Sequence, residues 1–95
     1  MAAYLLAESQ ITDQATYDSY KRQVAPVIAK YGGRFLVRGG PIEVLEGTWQ
    51  PSKLVIIEFP DMAALKSWYT SPEYAPLLAL RQSAATDQLV AVDGF

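Results

Sequence analysis

The chain contains no histidine and no cysteine. Without histidine there is no imidazole base, no His-ligated zinc or haem and no Ser-His-Asp triad. Without cysteine there is no thiol nucleophile, disulfide or thiolate metal site. Any catalysis must use carboxylates, arginine, lysine, tyrosine, serine or a borrowed cofactor, and neither a metal site nor a cofactor of its own is expected. Charge of one sign is also missing: eight Lys and Arg stand against ten Asp and Glu, a net charge of −2. With no run of either sign, the chain has no electrostatic footprint for nucleic acid or an anionic membrane. Long apolar runs are absent too. The opening MAAYLLAESQ has no basic segment and is interrupted by Glu8, so neither a secretory leader nor a membrane span is expected, and the expected location is cytoplasmic.

What is present fits one small domain over residues 1–95. Half of its residues are hydrophobic, 51%, more than a fully solvated small monomer needs, which points to association with a further copy. Tyr4 to Ser9 reads as a first strand, and Thr12-Asp13 offers oxygens that cap a helix. From Asp13 to Tyr31 the residues Tyr17, Tyr20, Val24, Val27 or Ile28, and Tyr31 recur every three or four positions, an amphipathic helix stopped by Gly32. Pro26 inside it predicts a kink or restart near Val24-Ala25. Arg34 to Arg38 and Leu54 to Phe59 are short β-branched or aromatic strands. Between them IEVLE alternates like a further strand segment, extending the second strand past a Gly-Gly bulge. Asp61 caps a helix carrying Met62, Leu65, Trp68 and Tyr69. Ser71-Pro72-Glu73 opens another, with Tyr74, Leu77, Leu78 and Arg81. Leu89 to Asp93 closes the chain as a fourth strand.

The order βαββαβ predicts an α+β, ferredoxin-like fold, an antiparallel sheet with its helices on one face. Residue parity then sorts the strands. One face collects Leu5, Ala7, Phe35, Val37, Val55, Ile57, Phe59, Val90 and Val92. The other collects Tyr4, Leu6, Glu8, Arg34, Leu36, Arg38, Leu54, Ile56, Glu58, Leu89, Ala91 and Asp93. This second face is too oily for water and too charged for a simple core. Two such sheets packed together in a homodimer would satisfy both properties.

YGGRFLVRGG, VLEGTW, LVIIEFPD and WYTSPEY, in this order and spacing, resemble the small bacterial family called domain of unknown function 1330. The resemblance spans nearly the whole chain. It implies membership of the dimeric α/β-barrel superfamily, in which two ferredoxin-like protomers pair their sheets. Relatives there include cofactor-free quinone-forming monooxygenases, lactone isomerases and haem-handling enzymes. Haem ligation through histidine is not open to this chain.

Glu58 is the first candidate for chemistry, with Arg34 and Arg38 on the same parity face of the neighbouring strand. As a site, Glu58 would be a general acid or base beside an arginine holding a substrate carboxylate or enolate. As structure, the three form an ion-pair cluster in a dimer interface, and pairing alone explains their spacing. Tyr69 and Tyr74 are ligand-binding candidates for an aromatic metabolite, near a helix break where a cleft can open. Trp68 fits core packing, Ser71 a helix cap, and Trp49 a cover for a partner subunit or pocket mouth. Arg81 is expected in solvent, although its helical stripe could carry it to a pocket. The glycine pairs lack phosphate-loop spacing. The functional expectation is a homodimer that binds a small acidic or aromatic metabolite, with proton transfer or cofactor-free oxidation as its chemistry. The alternative is a non-catalytic dimerisation domain.

Overall fold

The computed structural model describes residues 1–95. Strand β1 (Ala3–Ile11) leads into helix α1 (Gln14–Lys30), followed by β2 (Arg34–Arg38) and β3 (Leu54–Phe59). Helices α2 (Met62–Tyr69) and α3 (Ala75–Ala84) precede β4 (Ala85–Asp93). The strands form one antiparallel sheet in the order β2-β3-β1-β4, the ferredoxin-like arrangement.

The local signals act as their chemistry dictates. Asp13 accepts from the Thr16 backbone N–H at 3.2 Å and starts α1. Asp61 accepts from the Ala64 N–H at 2.7 Å and starts α2. Gly32 adopts φ +83°, closing α1 where a side chain would be strained. Helix residues Tyr17, Tyr20, Val24, Ile28, Leu65, Trp68 and Leu77 pack with Leu5, Val55, Ile57 and Phe59 of the sheet. The helices therefore cover one sheet face. Trp68, Tyr74, Phe59 and Ile28 are its largest fully buried side chains, each large apolar group contributing roughly 1.5–3 kcal/mol over the exposed state.

Several expectations are corrected. Helix α1 runs unbroken across Pro26; this proline is exposed, and so is Arg22, whose carbonyl loses its helical donor. Residues 41–53 form no strand, so IEVLE does not prolong β2. Instead Ile42, Val44, Leu45 and Trp49 are exposed on a long connection. Ser71 does cap a turn, its Oγ accepting from the Tyr74 N–H at 3.1 Å. The α-helix proper begins at Ala75, with Pro76 in its first turn.

Two register facts rearrange the faces. The pairing of β2 with β3 slips between Phe35 and Val37, leaving Arg34 opposite Glu58 but Arg38 opposite the buried Val55. The bulge falls at Leu36, earlier than the glycine pair, and moves Arg38 to the helix side of the sheet. Strand β4 starts four residues before the expected Leu89 and pairs Leu89 with Ala7 and Ala91 with Leu5. Directly opposed residues share a face, so Leu89 and Ala91 lie on the helix side. Val90 and Val92 join Leu6, Leu54, Ile56, Tyr4 and Glu58 on the open side.

Candidate functional site

The expected charged trio is divided by the sheet. On the open face, Arg34 Nε donates to Glu58 Oε1 at 2.7 Å and Tyr4 OH donates to Glu58 Oε2 at 3.1 Å. Both donors favour the carboxylate, so the Arg34 guanidinium and then the Tyr4 hydroxyl hold Glu58 below its usual range. The same bond pushes the Tyr4 phenol up. Both carboxylate oxygens are occupied. At the other end of this face Trp49 Nε1 donates to Glu8 Oε2 at 3.3 Å, placing the indole over a hollow of about 200 Å³ beside Leu6, Leu54 and Val90.

Arg38 lies across the sheet, stacked 4.1 Å above the Phe35 ring, with Nη2 donating to the Lys21 carbonyl at 2.9 Å. It lines a cavity of about 40 Å³ between sheet and helices, walled chiefly by apolar and tyrosine side chains. Lys53 and Lys21 stand with Arg38 on that wall. The Lys53 ammonium sits 4.6 Å over the Tyr17 ring. Burial, then the adjacent Lys21 and Arg38 charges, pull its pKa down.

The cavity lining also carries a buried polar chain. Tyr20 and Tyr74 hydroxyls are 3.0 Å apart, and Arg81 Nε donates to the Tyr74 hydroxyl at 3.2 Å. Arg81 Nη1 pairs with Asp87 Oδ2. The side chains of this pair are 7% and 3% exposed, against 71% and 23% for Arg34 and Glu58. Burial raises the Tyr20 phenol far above its usual range, with Tyr74 beside it adding to the shift, so Tyr20 remains protonated. Trp68 packs 4.3 Å from the Tyr74 ring centroid. Its indole Nε1 is buried without a hydrogen-bond partner, as is Asp87 Oδ1. An unmet donor on a cavity wall is costly unless something accepts from it.

The structure thus brings Arg38 and Tyr74 to one cavity, keeps Arg34 and Glu58 together on the other face, and leaves Tyr69 apart. The Tyr69 ring lies 5.9 Å from Trp68 and Tyr74, but it is 37% exposed and lines a separate groove between α2 and β4. Arg81, expected in solvent, is buried, because Asp87 neutralises it. Sequence reading placed Tyr20 only on the stripe of the first helix and did not name Asp87, Lys21 or Lys53. Asp87 alternates with Leu89 and Ala91, a signal legible only once β4 is known to begin at Ala85. No group of three or more carboxylates is arranged to hold a metal ion. No helix is long and apolar enough to cross a membrane.

A family model described as domain of unknown function (DUF1330) matches residues 2–95. No curated protein matches the chain. Among solved structures, the chain is similar to RPA0582, a protein of unknown function from Rhodopseudomonas palustris. That match has 20% identity and a TM-score of 0.81, covering 99% of this chain and 82% of the other. SnoaB, a cofactor-independent oxygenase from Streptomyces nogalater, matches at 12% identity and TM-score 0.68, covering 99% and 93%. A dimeric ferredoxin-like protein of unknown function from Jannaschia sp. CCS1 matches at 14% identity and TM-score 0.67, covering 99% and 100%. At these identities the likeness concerns the fold.

Proposed function

We propose that this chain, which belongs to the DUF1330 family, binds a small acidic aromatic metabolite in the cavity between its sheet and helices. The observation that carries the reading is the unpartnered Trp68 indole N–H in a cavity whose lining also bears Lys21, Arg38 and Lys53. A planar ligand with an anionic group and a second oxygen answers both features. The acid meets the cations, and the oxygen accepts from Trp68 beside the Tyr20–Tyr74–Arg81 chain. At about 40 Å³ the cavity is water-sized, so a ring enters only when the long side chains of Arg38 and Lys53 swing aside. Cofactor-free oxidation of a phenol by dioxygen is the reaction class we favour. The fold-level likeness to SnoaB supports it.

Thermal shift with hydroxybenzoates against the corresponding neutral phenols tests the reading. Acids should stabilise the protein more than phenols, and Arg38→Ala should weaken the acids by about tenfold, in keeping with a lost charged hydrogen bond. Equal responses to acids and phenols, unaffected by Arg38→Ala, would reject it. Oxygen uptake with the best ligand then separates an enzyme from a binder.

For the open face we propose a homodimer, with Arg34, Glu58 and Tyr4 fixing how two sheets meet. Val90 and Val92 are 61% and 49% exposed there, and dimeric ferredoxin-like neighbours support the pairing. Glu58 then has a structural role; it faces away from the cavity that Arg38 and Tyr74 line.

A further inference from the structure

We propose that Lys53 is a nucleophilic lysine that captures small 2-oxo acids as an imine at the mouth of the cavity. The setting rests first on placement. Gly39, at φ +76°, leaves open the space that its Cβ would occupy, and there the Lys53 Cε passes 2.5 Å from the position of that absent carbon. The stem is thereby tucked over backbone and its amine laid on the Tyr17 ring at 4.6 Å. The backbone is held as well, since the Ser9 N–H donates to the Lys53 carbonyl at 3.0 Å. Lys53 forms none of the chain's salt bridges.

Its charged surroundings then favour reaction. Lys21 from α1 and Arg38 from β2 line the cavity beside it, and the Asp18 carboxylate of α1 opposes their charge. Partial burial, then the two like charges, favour the neutral amine, the form that attacks a carbonyl, against the Tyr17 ring face and Asp18, which favour the cation. The same two cations suit the carboxylate of a 2-oxo acid and hold its keto carbon within reach of the amine. The nitrogen lone pair adds to the ketone carbon to give a carbinolamine. Loss of hydroxide, which takes up a proton and leaves as water, gives the iminium. Oxidation state is unchanged until a hydride donor is supplied.

The inference shares Lys21, Arg38 and Lys53 with the interior ligand reading but goes beyond it to a covalent step. Trapping at one lysine and thermal shift by hydroxybenzoates read different events, so either can fail without the other. The chain has four lysines, Lys21, Lys30, Lys53 and Lys66, which makes assignment direct. The protein is incubated with pyruvate, reduced with borohydride, and analysed by intact mass and peptide mapping. The expected result is one reductive adduct at Lys53, favoured by about tenfold or more over each other lysine. It should be absent in Lys53→Arg, which keeps the cation and the stem, and reduced several-fold in Lys21→Gln. Acetone, lacking the carboxylate, should label Lys53 far less. Adduct spread evenly over the four lysines, no adduct, or an adduct that persists in Lys53→Arg overturns the proposal. Equal labelling by acetone and pyruvate overturns its assignment to 2-oxo acids.

Discussion

Each face of the sheet carries an arginine–carboxylate pair, one joining α3 to β4 and the other β2 to β3, and the two pairs differ in almost every physical respect. Arg81 and Asp87 lie beneath the helices, almost wholly out of water. Arg34 and Glu58 lie on the open face, with the arginine largely in solvent. In the single chain, water screens the second pair and would replace either partner at little cost. It cannot reach the first, where a lost partner leaves a bare buried charge. The residue types are alike, so a motif of arginine near a carboxylate says nothing about which pair lines a cavity. Burial decides that, and burial follows from register.

The contrast is broken most severely at Arg81. Arg81→Ala should cost about 3–5 kcal/mol by stranding Asp87, lowering Tm by about 12 °C or more in a domain of this size. At concentrations low enough to keep the chain monomeric, Arg34→Ala should leave Tm nearly unchanged, and equal losses in calorimetry would erase the distinction. Next, the open face should govern association and the covered face should not. Ile56→Asp places a carboxylate opposite Leu6 on that face and should weaken self-association by about a hundredfold, about 2.7 kcal/mol, as read by sedimentation. A dimer unaffected by it pairs through another surface. Tyr74→Phe is milder. It removes the hydroxyl shared by Tyr20 and Arg81 and should cost about 1–3 kcal/mol in urea unfolding. A neutral result would show that the buried chain is slack.

The smallest effect concerns acid. Glu58 is held below its ordinary value of 4.5 by Arg34 and then Tyr4. Its contribution is therefore complete above that value and lost as pH falls through the lower folded one. Wild type and Glu58→Gln, compared by urea unfolding, should differ by a small constant amount above about pH 5 and converge at lower pH. A difference that grows on acidification would reverse the sign of this linkage.

How much of this was legible depended on the range of the signal. Asp13, Gly32 and Asp61 act on their own or adjacent turns, and their capping chemistry could be read directly. The strand order followed from the alternation of elements. The site did not follow as well, because one residue at Leu36 reversed the side on which Arg38 emerges, and nothing in RFLVRGG marks that residue against its neighbours. Strand β4 misled for a related reason. Val90 and Val92 are better core residues by type than Ala91. The register is instead consistent with Asp87, which lies on the helix side only because Arg81 awaits it there. A long-range ion pair outweighed a local hydrophobic preference.

Helix α3 ends at Ala84 and β4 begins at Ala85, with no residue between. The Ala84 carbonyl accepts from the Thr12 and Asp13 N–H groups at 2.8 and 3.0 Å and from Thr12 Oγ1 at 3.1 Å. That joint fastens the first βα turn to a point 72 residues later in the chain. In kinetic terms it is a clasp that closes only after nearly the whole chain has been drawn in, since loop closure over that span precedes any gain from it. The early βα unit therefore gains this joint only once α3 and β4 are in place. The Thr12 and Asp13 amides should exchange with solvent only through global unfolding, which native-state hydrogen exchange would register as protection equal to that of the central strands.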